Sequence, residues 1–106
     1  MPSTDGLVLL SAAVEVENAL YEHPAVAETA LIGLPHRTLG EVPVAIVRLR
    51  SGMPASEQEL RARVAAQLAA FKVPERIAFS AEALPRNPQG KILKRELQAK
   101  FRDHFS

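Results

Sequence analysis

The feature that most constrains the fold is the segment at residues 84–91, which reads Leu-Pro-Arg-Asn-Pro-Gln-Gly-Lys. Each proline fixes φ and lacks an N–H, whereas Gly90 can take a positive φ without a steric penalty. Such a run cannot continue a helix or a central strand. It therefore predicts a stiff, shaped loop that ends at Lys91, and residues 85–91 are named the Lys91 loop below.

Beyond this loop the pattern changes to that of an amphipathic helix. Apolar side chains recur every four residues, at Leu93, Leu97, Phe101 and Phe105. This stripe predicts a helix over about residues 92–105. Lys91 would then be mounted between a glycine turn and a packed helix, which suits the presentation of an ammonium to an anion. The simpler alternative is that Lys91 only begins a basic surface helix, and the spacing leaves both possibilities open.

Composition bounds the class of protein. A chain of 106 residues with 47% hydrophobic residues can build one modest core. A net charge of +1 argues against nucleic acid or a membrane as the main partner. The absence of cysteine excludes disulfides and thiol chemistry. The apolar stretch at residues 7–14 has no basic leader and is far shorter than the roughly 20 residues of a membrane span, so we expect a cytoplasmic protein.

The first half of the chain predicts one helix and two strands. Ser11 can cap a helix that ends before Pro24, and its inner face would consist of Ala13, Val16, Ala19 and Leu20. Residues 26–33 and 42–49 are rich in branched apolar side chains and predict strands. Because the connection between them is short, we expect them to be antiparallel. Pro43 near the start of the second strand favours an edge position.

The second half predicts a helix, a strand and the last helix. Ser56 and Glu59 form a capping box, and apolar residues follow at helical spacing, namely Leu60, Val64, Leu68 and Phe71. This helix is expected to end at Pro74. Residues 76–80 predict a short third strand. The order α-β-β-α-β-α indicates the α+β class, with about three helices packed on a three-stranded sheet.

The Lys91 loop and the first residues of the predicted last helix resemble the final signature of the adenylate-forming superfamily, which includes acyl-CoA synthetases, aryl-CoA ligases, luciferases and peptide-synthetase adenylation domains. The matching residues are Pro85-Arg86-x-x-x-Gly90-Lys91-Ile92-x-Lys94-Arg95-x-Leu97. Upstream matches occur in the expected order at Glu15-Val16-Glu17-Asn18, His23-Pro24-Ala25-Val26, Gly33-Leu34-Pro35 with Gly40-Glu41, and Phe71-Lys72-Val73-Pro74. The resemblance covers about residues 14–101 and implies the small C-terminal domain of such an enzyme. Residues 11–106 would form this domain, and residues 1–10 an N-terminal remnant or degenerate hinge segment.

The resemblance implies a catalytic role for Lys91. In the family, the lysine at this position reaches into the active site of a larger N-terminal domain and contacts the substrate carboxylate and the α-phosphate of ATP. Pro85, Arg86 and Gly90 would support the loop, and no residue is expected to bind a metal. The whole enzyme would use ATP and CoA to activate a carboxylic acid, with Mg²⁺ held by the N-terminal domain. That domain, in cis or in trans, is the expected partner.

The isolated chain is expected to bind no cofactor and to be inactive, because it contains no glycine-rich phosphate loop. Residues 7–14 also lack the glycines that relatives carry there, and Ala13 stands where proline is common, which puts transfer of the acyl group to CoA in doubt. The alternative function is a free-standing, non-enzymatic docking module that keeps the fold. A small nucleic-acid binder is a third possibility and would require steeply salt-dependent binding.

Other polar residues are given structural or surface roles. His23, His36 and His104 share no metal-ligand spacing and no triad arrangement. Glu15 and Glu17 are two residues apart on a helix and do not face each other, so we expect surface charges rather than a paired-carboxylate site. Lys72 is expected to help cap the carbonyl end of the long helix. The basic residues of the last helix are expected to form a solvated face.

Overall fold

The computed structural model describes residues 13–36, 38 and 40–103 of the chain. The elements are α1 (residues 13–21), β1 (Val26–His36), β2 (Gly40–Leu49), α2 (Glu57–Gln67), a 3-10 turn (Ala70–Lys72), β3 (Arg76–Phe79) and α3 (Lys94–Phe101). The predicted α+β class and the order α-β-β-α-β-α are confirmed. The predicted cap at Ser11, the degenerate hinge at residues 1–10, and the residues His104 and Phe105 lie outside the described residues.

The sheet has the order β1-β2-β3, so that β2 is its central strand. β2 is antiparallel to β1, as predicted, and parallel to β3. The first two strands are longer than the sequence indicated, because pairing continues to His36 opposite Gly40. Gly40 has a φ of +82°, a conformation that glycine adopts without strain, and this allows β2 to begin so close to the end of β1.

Pro43 does not mark an edge strand, and that prediction was wrong. Its carbonyl accepts a hydrogen bond from Glu75 N at 2.8 Å, on the side of β3. The two polar groups of a strand residue point to the same side, and β3 pairs with β2 only from Val44 onward. An N–H at residue 43 would therefore point to the side of β3, at a position just before the pairing with β3 begins. No residue of β3 needs a hydrogen-bond donor there, so proline is tolerated.

Both faces of the sheet are covered, which explains why the strands read as nearly continuous apolar runs. The α1 and α2 side buries a cluster that includes Val16, Leu20, Leu31, Val47, Leu60, Val64 and Ile77. The α3 side buries a second cluster that includes Ile32, Leu34, Val44, Ile46, Leu84, Leu97 and Phe101. The predicted inner face of α1 is confirmed, because all four of its residues are buried. The Lys91 loop and α3 thus pack on the sheet face opposite α1 and α2.

The helix α2 begins as predicted but ends earlier. Its cap forms, with Glu59 N donating to Ser56 Oγ at 3.0 Å. The chain leaves the helix at Leu68, whose φ and ψ of −124° and 164° are extended, and the half-buried side chains of Leu68 and Val73 pack against the core. Phe71 therefore lies in the 3-10 turn and is 82% exposed. The prediction that Phe71 belongs to the buried face of one continuous helix was wrong.

Side chains satisfy the backbone along both outer edges of the sheet. On β1, Thr29 N donates to Tyr21 Oη (3.2 Å), Leu31 N donates to Glu17 Oε2 (2.7 Å), and Gly33 O accepts from Gln98 Nε2 (3.1 Å). On β3, Ile77 N donates to Glu57 Oε2 at 2.8 Å. Glu17, which was expected to be a surface charge, is instead a half-buried link between α1 and the sheet.

Candidate functional site: the Lys91 loop and its supports

The Lys91 loop is closed by its own backbone and by one side chain. Arg86 and Ile92 form an isolated antiparallel bridge across its base. Within the loop, Gly90 N donates to Asn87 O at 2.9 Å, and Asn87 N donates to Lys91 O at 2.9 Å. Gly90 has a φ of +86°, which makes this tight reversal possible. The shaped loop predicted from its prolines and glycine is therefore present.

Lys91 has a fixed backbone and an exposed side chain. Its N–H donates to Asn87 Oδ1 at 2.9 Å, so Asn87 holds both polar groups of the Lys91 backbone. Within residues 13–36, 38 and 40–103, the Lys91 ammonium has neither a hydrogen-bond acceptor nor a carboxylate partner. The chain thus presents a positive charge from a constrained base.

The loop is tied directly to the start of α3. Leu93 N donates to Pro85 O at 2.8 Å, and Leu93 is the residue that precedes the helix. The helix begins at Lys94 rather than at Ile92, because Ile92 pairs with Arg86 and packs against the second core cluster instead. Lys91 therefore lies three residues before the helix, inside the closed loop.

Glu28 on β1 links the sheet to the Lys91 loop. It is 7% exposed, in a strand whose buried residues are mostly apolar. Its Oε2 accepts from Arg48 Nε at 2.6 Å and from Leu84 N at 3.0 Å. Its Oε1 accepts from Arg86 Nε at 3.1 Å and Arg86 Nη2 at 2.9 Å. Arg86 also donates from Nη1 to Gly90 O at 2.6 Å, so one guanidinium joins the sheet to the loop.

Glu28 is held in its charged form. Burial by itself raises the pKa of this carboxyl, but hydrogen bonds from Leu84 N and from two guanidiniums, those of Arg48 and Arg86, outweigh burial and lower the pKa from 4.5 to about 2. A buried charge is tolerated when it is paired and fully hydrogen-bonded. Glu28 meets that condition at neutral pH.

The sequence reasoning did not single out Glu28, although a signal was available. A lone carboxylate within a strand predicted to be covered on both faces must have a cationic partner. The arginine of the Pro85-Arg86 motif was one of the candidates for that partner. Its assignment as loop support is a prediction, and the structure gives it a specific set of contacts.

An open groove of about 1180 Å³ runs between α1, the outer edge of β1, the Lys91 loop and α3. Val14 and Tyr21 line one wall, and Lys91 and Ile92 line the opposite wall. Lys94 crosses the groove to Glu17, with Nζ and Oε2 separated by 2.8 Å. The groove places Lys91 beside partly apolar surface.

The remaining candidates have structural contacts. His23 is buried, its Nδ1 accepts from Ala25 N at 3.1 Å, and its Nε2 lies 2.5 Å from Glu59 Oε2. Since Nδ1 accepts, the proton in this contact is on Nε2, and the hydrogen bond from His23 lowers the pKa of Glu59. His36 Nδ1 accepts from Thr38 N at 3.2 Å. In the described part of the chain, no three His, Asp or Glu side chains are grouped so that they could hold a metal ion.

The prediction that Lys72 helps to cap the carbonyl end of α2 was wrong. Its ammonium instead forms an ion pair with Glu15 on α1. The same ammonium lies 5.8 Å from the ring centroid of Phe71. The turn therefore carries an exposed aromatic ring beside a paired lysine.

Comparison with known proteins identifies the family. The model of the AMP-binding enzyme C-terminal domain matches residues 15–91. The chain is 48% identical over 84 residues, 79% of its length, to a 2-succinylbenzoate–CoA ligase from Geobacillus kaustophilus. It is 44% identical over 87 residues, 82% of its length, to the fatty acid–[acyl-carrier-protein] ligase ScoC from Streptomyces coeruleorubidus. The chain belongs to the AMP-binding enzyme C-terminal domain family of the adenylate-forming superfamily.

A solved relative confirms the fold. The crystal structure of ATP-bound MatB from Rhodopseudomonas palustris superimposes with a TM-score of 0.79 and 33% sequence identity, over 89% of the chain. The chain spans 18% of that structure and 17% of each of the two ligases above. In the described residues, no helix is both long and apolar enough to cross a membrane.

Proposed function

We propose that this chain is the C-terminal lid domain of an acyl- or aryl-CoA synthetase-like ligase, and that Lys91 is its catalytic residue. The partner is an N-terminal adenylating domain, joined in cis or bound in trans, which would hold ATP and the carboxylic acid. The names of the relatives support this reading, since they are ligases that join an acid to CoA or to a carrier protein. We place the ligase in the cytoplasm, where ATP and CoA are available.

The observation that carries the proposal is the way Lys91 is held. Its backbone is bonded on both sides by Asn87, and its ammonium is exposed. Adenylation brings a carboxylate against a phosphate, so that two anions approach and negative charge grows on the phosphoryl oxygens. A cation that is already in place offsets this charge without reorganisation. Lys91 would provide that cation.

Pro85, Arg86 and Gly90 would support Lys91, and their contacts and backbone geometry are consistent with that role. The carbonyl of Pro85 accepts from Leu93 N, Arg86 donates to the carbonyl of Gly90, and Gly90 takes the positive φ that the turn needs. Mg²⁺ would be held by the N-terminal domain, and this chain would add only the ammonium. We propose CoA as the acceptor because the Gly33-Leu34-Pro35 and Gly40-Glu41-Val42-Pro43 segments look more like those of CoA ligases.

The test joins this chain to the N-terminal domain of the related 2-succinylbenzoate–CoA ligase and measures acyl-adenylate formation in a single turnover. We expect Lys91→Ala to lower that rate by about 10²–10³, the usual cost of removing a preorganised transition-state donor. Lys94→Ala is the matched control, because the ammonium of Lys94 is already paired with Glu17. Adenylation by Lys91→Ala at the unaltered rate would refute the assignment.

Two further measurements follow: the first checks that the chain needs a partner domain for activity, and the second separates the proposal from the docking-module alternative. The chain alone should catalyse no carboxylate-dependent ATP–pyrophosphate exchange, and exchange by the purified chain would contradict the lid role. The joined protein should form acyl-adenylate, while acyl-CoA should lag because residues 7–13 lack the glycines of the relatives. A folded joined protein that forms no adenylate would favour the non-enzymatic module.

A further inference from the structure

The contacts of Glu28 continue beyond the packed core, through Arg86 to the exposed backbone of the Lys91 loop. The stability of the core does not require this continuation. From Glu28 Oε1 the path runs through the Arg86 guanidinium to the carbonyl of Gly90, with distances of 2.9 and 2.6 Å. That carbonyl belongs to the peptide bond whose nitrogen is that of Lys91. The buried carboxylate of β1 is thus separated from the Lys91 backbone by a single side chain.

The two oxygens of Glu28 divide their contacts. Oε2 bonds Arg48 on β2 and Leu84 N at the start of the loop segment, which are contacts within the packed body of the domain. Oε1 bonds only Arg86 among the described residues, and it takes both Nε and Nη2. The guanidinium keeps Nη1 for Gly90 O. A planar fork of donors can serve a carboxylate and a carbonyl together, which a single ammonium cannot do at these positions.

The exposed end of this path needs an explanation. Gly90 and Lys91 are exposed, and the Arg86 side chain is 40% exposed, so the contact of Arg86 with Gly90 O buries no apolar surface. A loop of this kind could remain mobile without loss to the core. Instead, every backbone hydrogen bond of Lys91 and the carbonyl before it are engaged. The ordering is concentrated on the residue that presents the ammonium.

We propose that Glu28 is the positioning residue for Lys91, acting through Arg86 to fix the Gly90–Lys91 peptide and thereby the base from which the ammonium extends. This inference deepens the proposed function and rests on it for its catalytic consequence. Its geometric content concerns only the order of the loop. The two parts can therefore be tested separately.

The first arm measures backbone ¹⁵N order parameters on the full chain. Lys91 should be rigid in the unaltered chain, with an order parameter of about 0.85, and this value should fall below about 0.6 in Arg86→Lys and in Glu28→Gln. Arg48→Lys is the matched control, because it weakens a guanidinium contact at the other oxygen of Glu28 and leaves the Arg86 path intact. If Glu28→Gln unfolds the chain because Glu28 is buried, the Arg86→Lys variant, in which the altered side chain is exposed, decides the matter. A rigid Lys91 in Arg86→Lys, with the fold intact, would overturn the proposal.

The second arm measures adenylation in the joined ligase described above. Arg86→Lys should lower kcat about tenfold with little change in the KM for ATP, because misplacement affects the transition state more than the ground state. In a Lys91→Ala background, the same change should cause no further loss. Additive losses would overturn the positioning role. Full activity of Lys91→Ala would refute the proposed function instead, and the order parameters would still decide whether Glu28 fixes the loop.

Discussion

Lys72 and Lys91 both lie in connecting segments that carry a family-like motif, yet the structure holds them in opposite ways. The ammonium of Lys72 is paired with Glu15, and its backbone lies in a 3-10 turn. Lys91 is held by its backbone, through Asn87, and its ammonium has no partner among the described residues. One lysine is fixed at its charged end, the other at its base.

The difference indicates which lysine can serve an incoming anion. A paired ammonium must exchange one carboxylate for another, so its positive charge is already offset. An unpaired ammonium on a constrained base keeps its charge for a ligand and loses little freedom when the ligand arrives. The resemblance to the family singled out Lys91 and left Lys72 with a structural role. The contacts of the two side chains support that division.

The largest expected effect is the loss of adenylation in Lys91→Ala. If this loss is not observed, the contrast drawn between Lys91 and Lys72 is wrong. In the joined ligase, Lys91→Ala should reduce the single-turnover adenylation rate by about 10²–10³, while Lys72→Ala should leave it nearly unchanged. Both substitutions remove one positive charge, so the net charge of the two variants is the same. Equal losses in both variants would show that general electrostatics, rather than the position of Lys91, supports the reaction.

A stability experiment separates charge from folding. Leu97 is 1% exposed within the second core cluster, so Leu97→Ala should lower the free energy of unfolding by about 2–5 kcal/mol. Lys91→Ala removes an exposed side chain and should stay within about ±0.5 kcal/mol. Denaturant midpoints would give both values. If Lys91→Ala proved the more damaging change, a loss of activity in that variant could not be assigned to the ammonium.

Acid should weaken the contacts through which Glu28 holds the Lys91 loop. The pKa of Glu28 is lowered from 4.5 to about 2 in the folded chain, so the unfolded chain binds a proton more readily. The contribution of ionised Glu28 to the free energy of unfolding is complete above pH 4.5 and is lost as the pH falls toward 2. The total loss should be about 3 kcal/mol. Denaturant midpoints across this range should show the loss in the unaltered chain and a smaller loss in Glu28→Gln. Identical pH dependence in the two would contradict the assignment.

The smallest expected effect is the contribution of the ion pair between Lys72 and Glu15 to stability. The ion pair between Lys72 and Glu15 is partly exposed at both ends, and such pairs contribute about 0–1 kcal/mol. A double-mutant cycle with Lys72→Ala and Glu15→Ala should therefore give a coupling free energy of unfolding within that range. A larger coupling would mean that the pair stabilises the packing of α1 against the 3-10 turn, and the contrast with Lys91 would then be one of structural importance as well.

Local patterns predicted the loop and the buried face of the last helix, because their causes are local. The prolines and the glycine of the Lys91 loop restrict φ within the segment itself. The apolar spacing that includes Leu97 and Phe101 located the buried face of α3, and both residues are buried. The antiparallel pairing of β1 and β2 followed from the short connection between them.

The predictions that were wrong depended on distant parts of the chain. Phe71 continues an apolar spacing, but the packing of Leu68 and Val73 ends the helix before it. Pro43 is compatible with a central strand only because β3 begins one residue later. The sequence could show that Glu28 needs a cationic partner, but only the folded loop shows that Arg86 is one of its partners. A single sequence gives the residues, but not these neighbours.

The side chains that satisfy the edges of the sheet have a consequence for how this domain can be joined to a neighbour. Glu17 occupies the N–H of Leu31 on one edge, and Glu57 occupies the N–H of Ile77 on the other. At these positions an additional strand would first have to displace a carboxylate. A surface that contacts the domain at these two positions therefore meets a side chain that already satisfies the main chain, and the sheet offers no open N–H group there to a strand of another molecule.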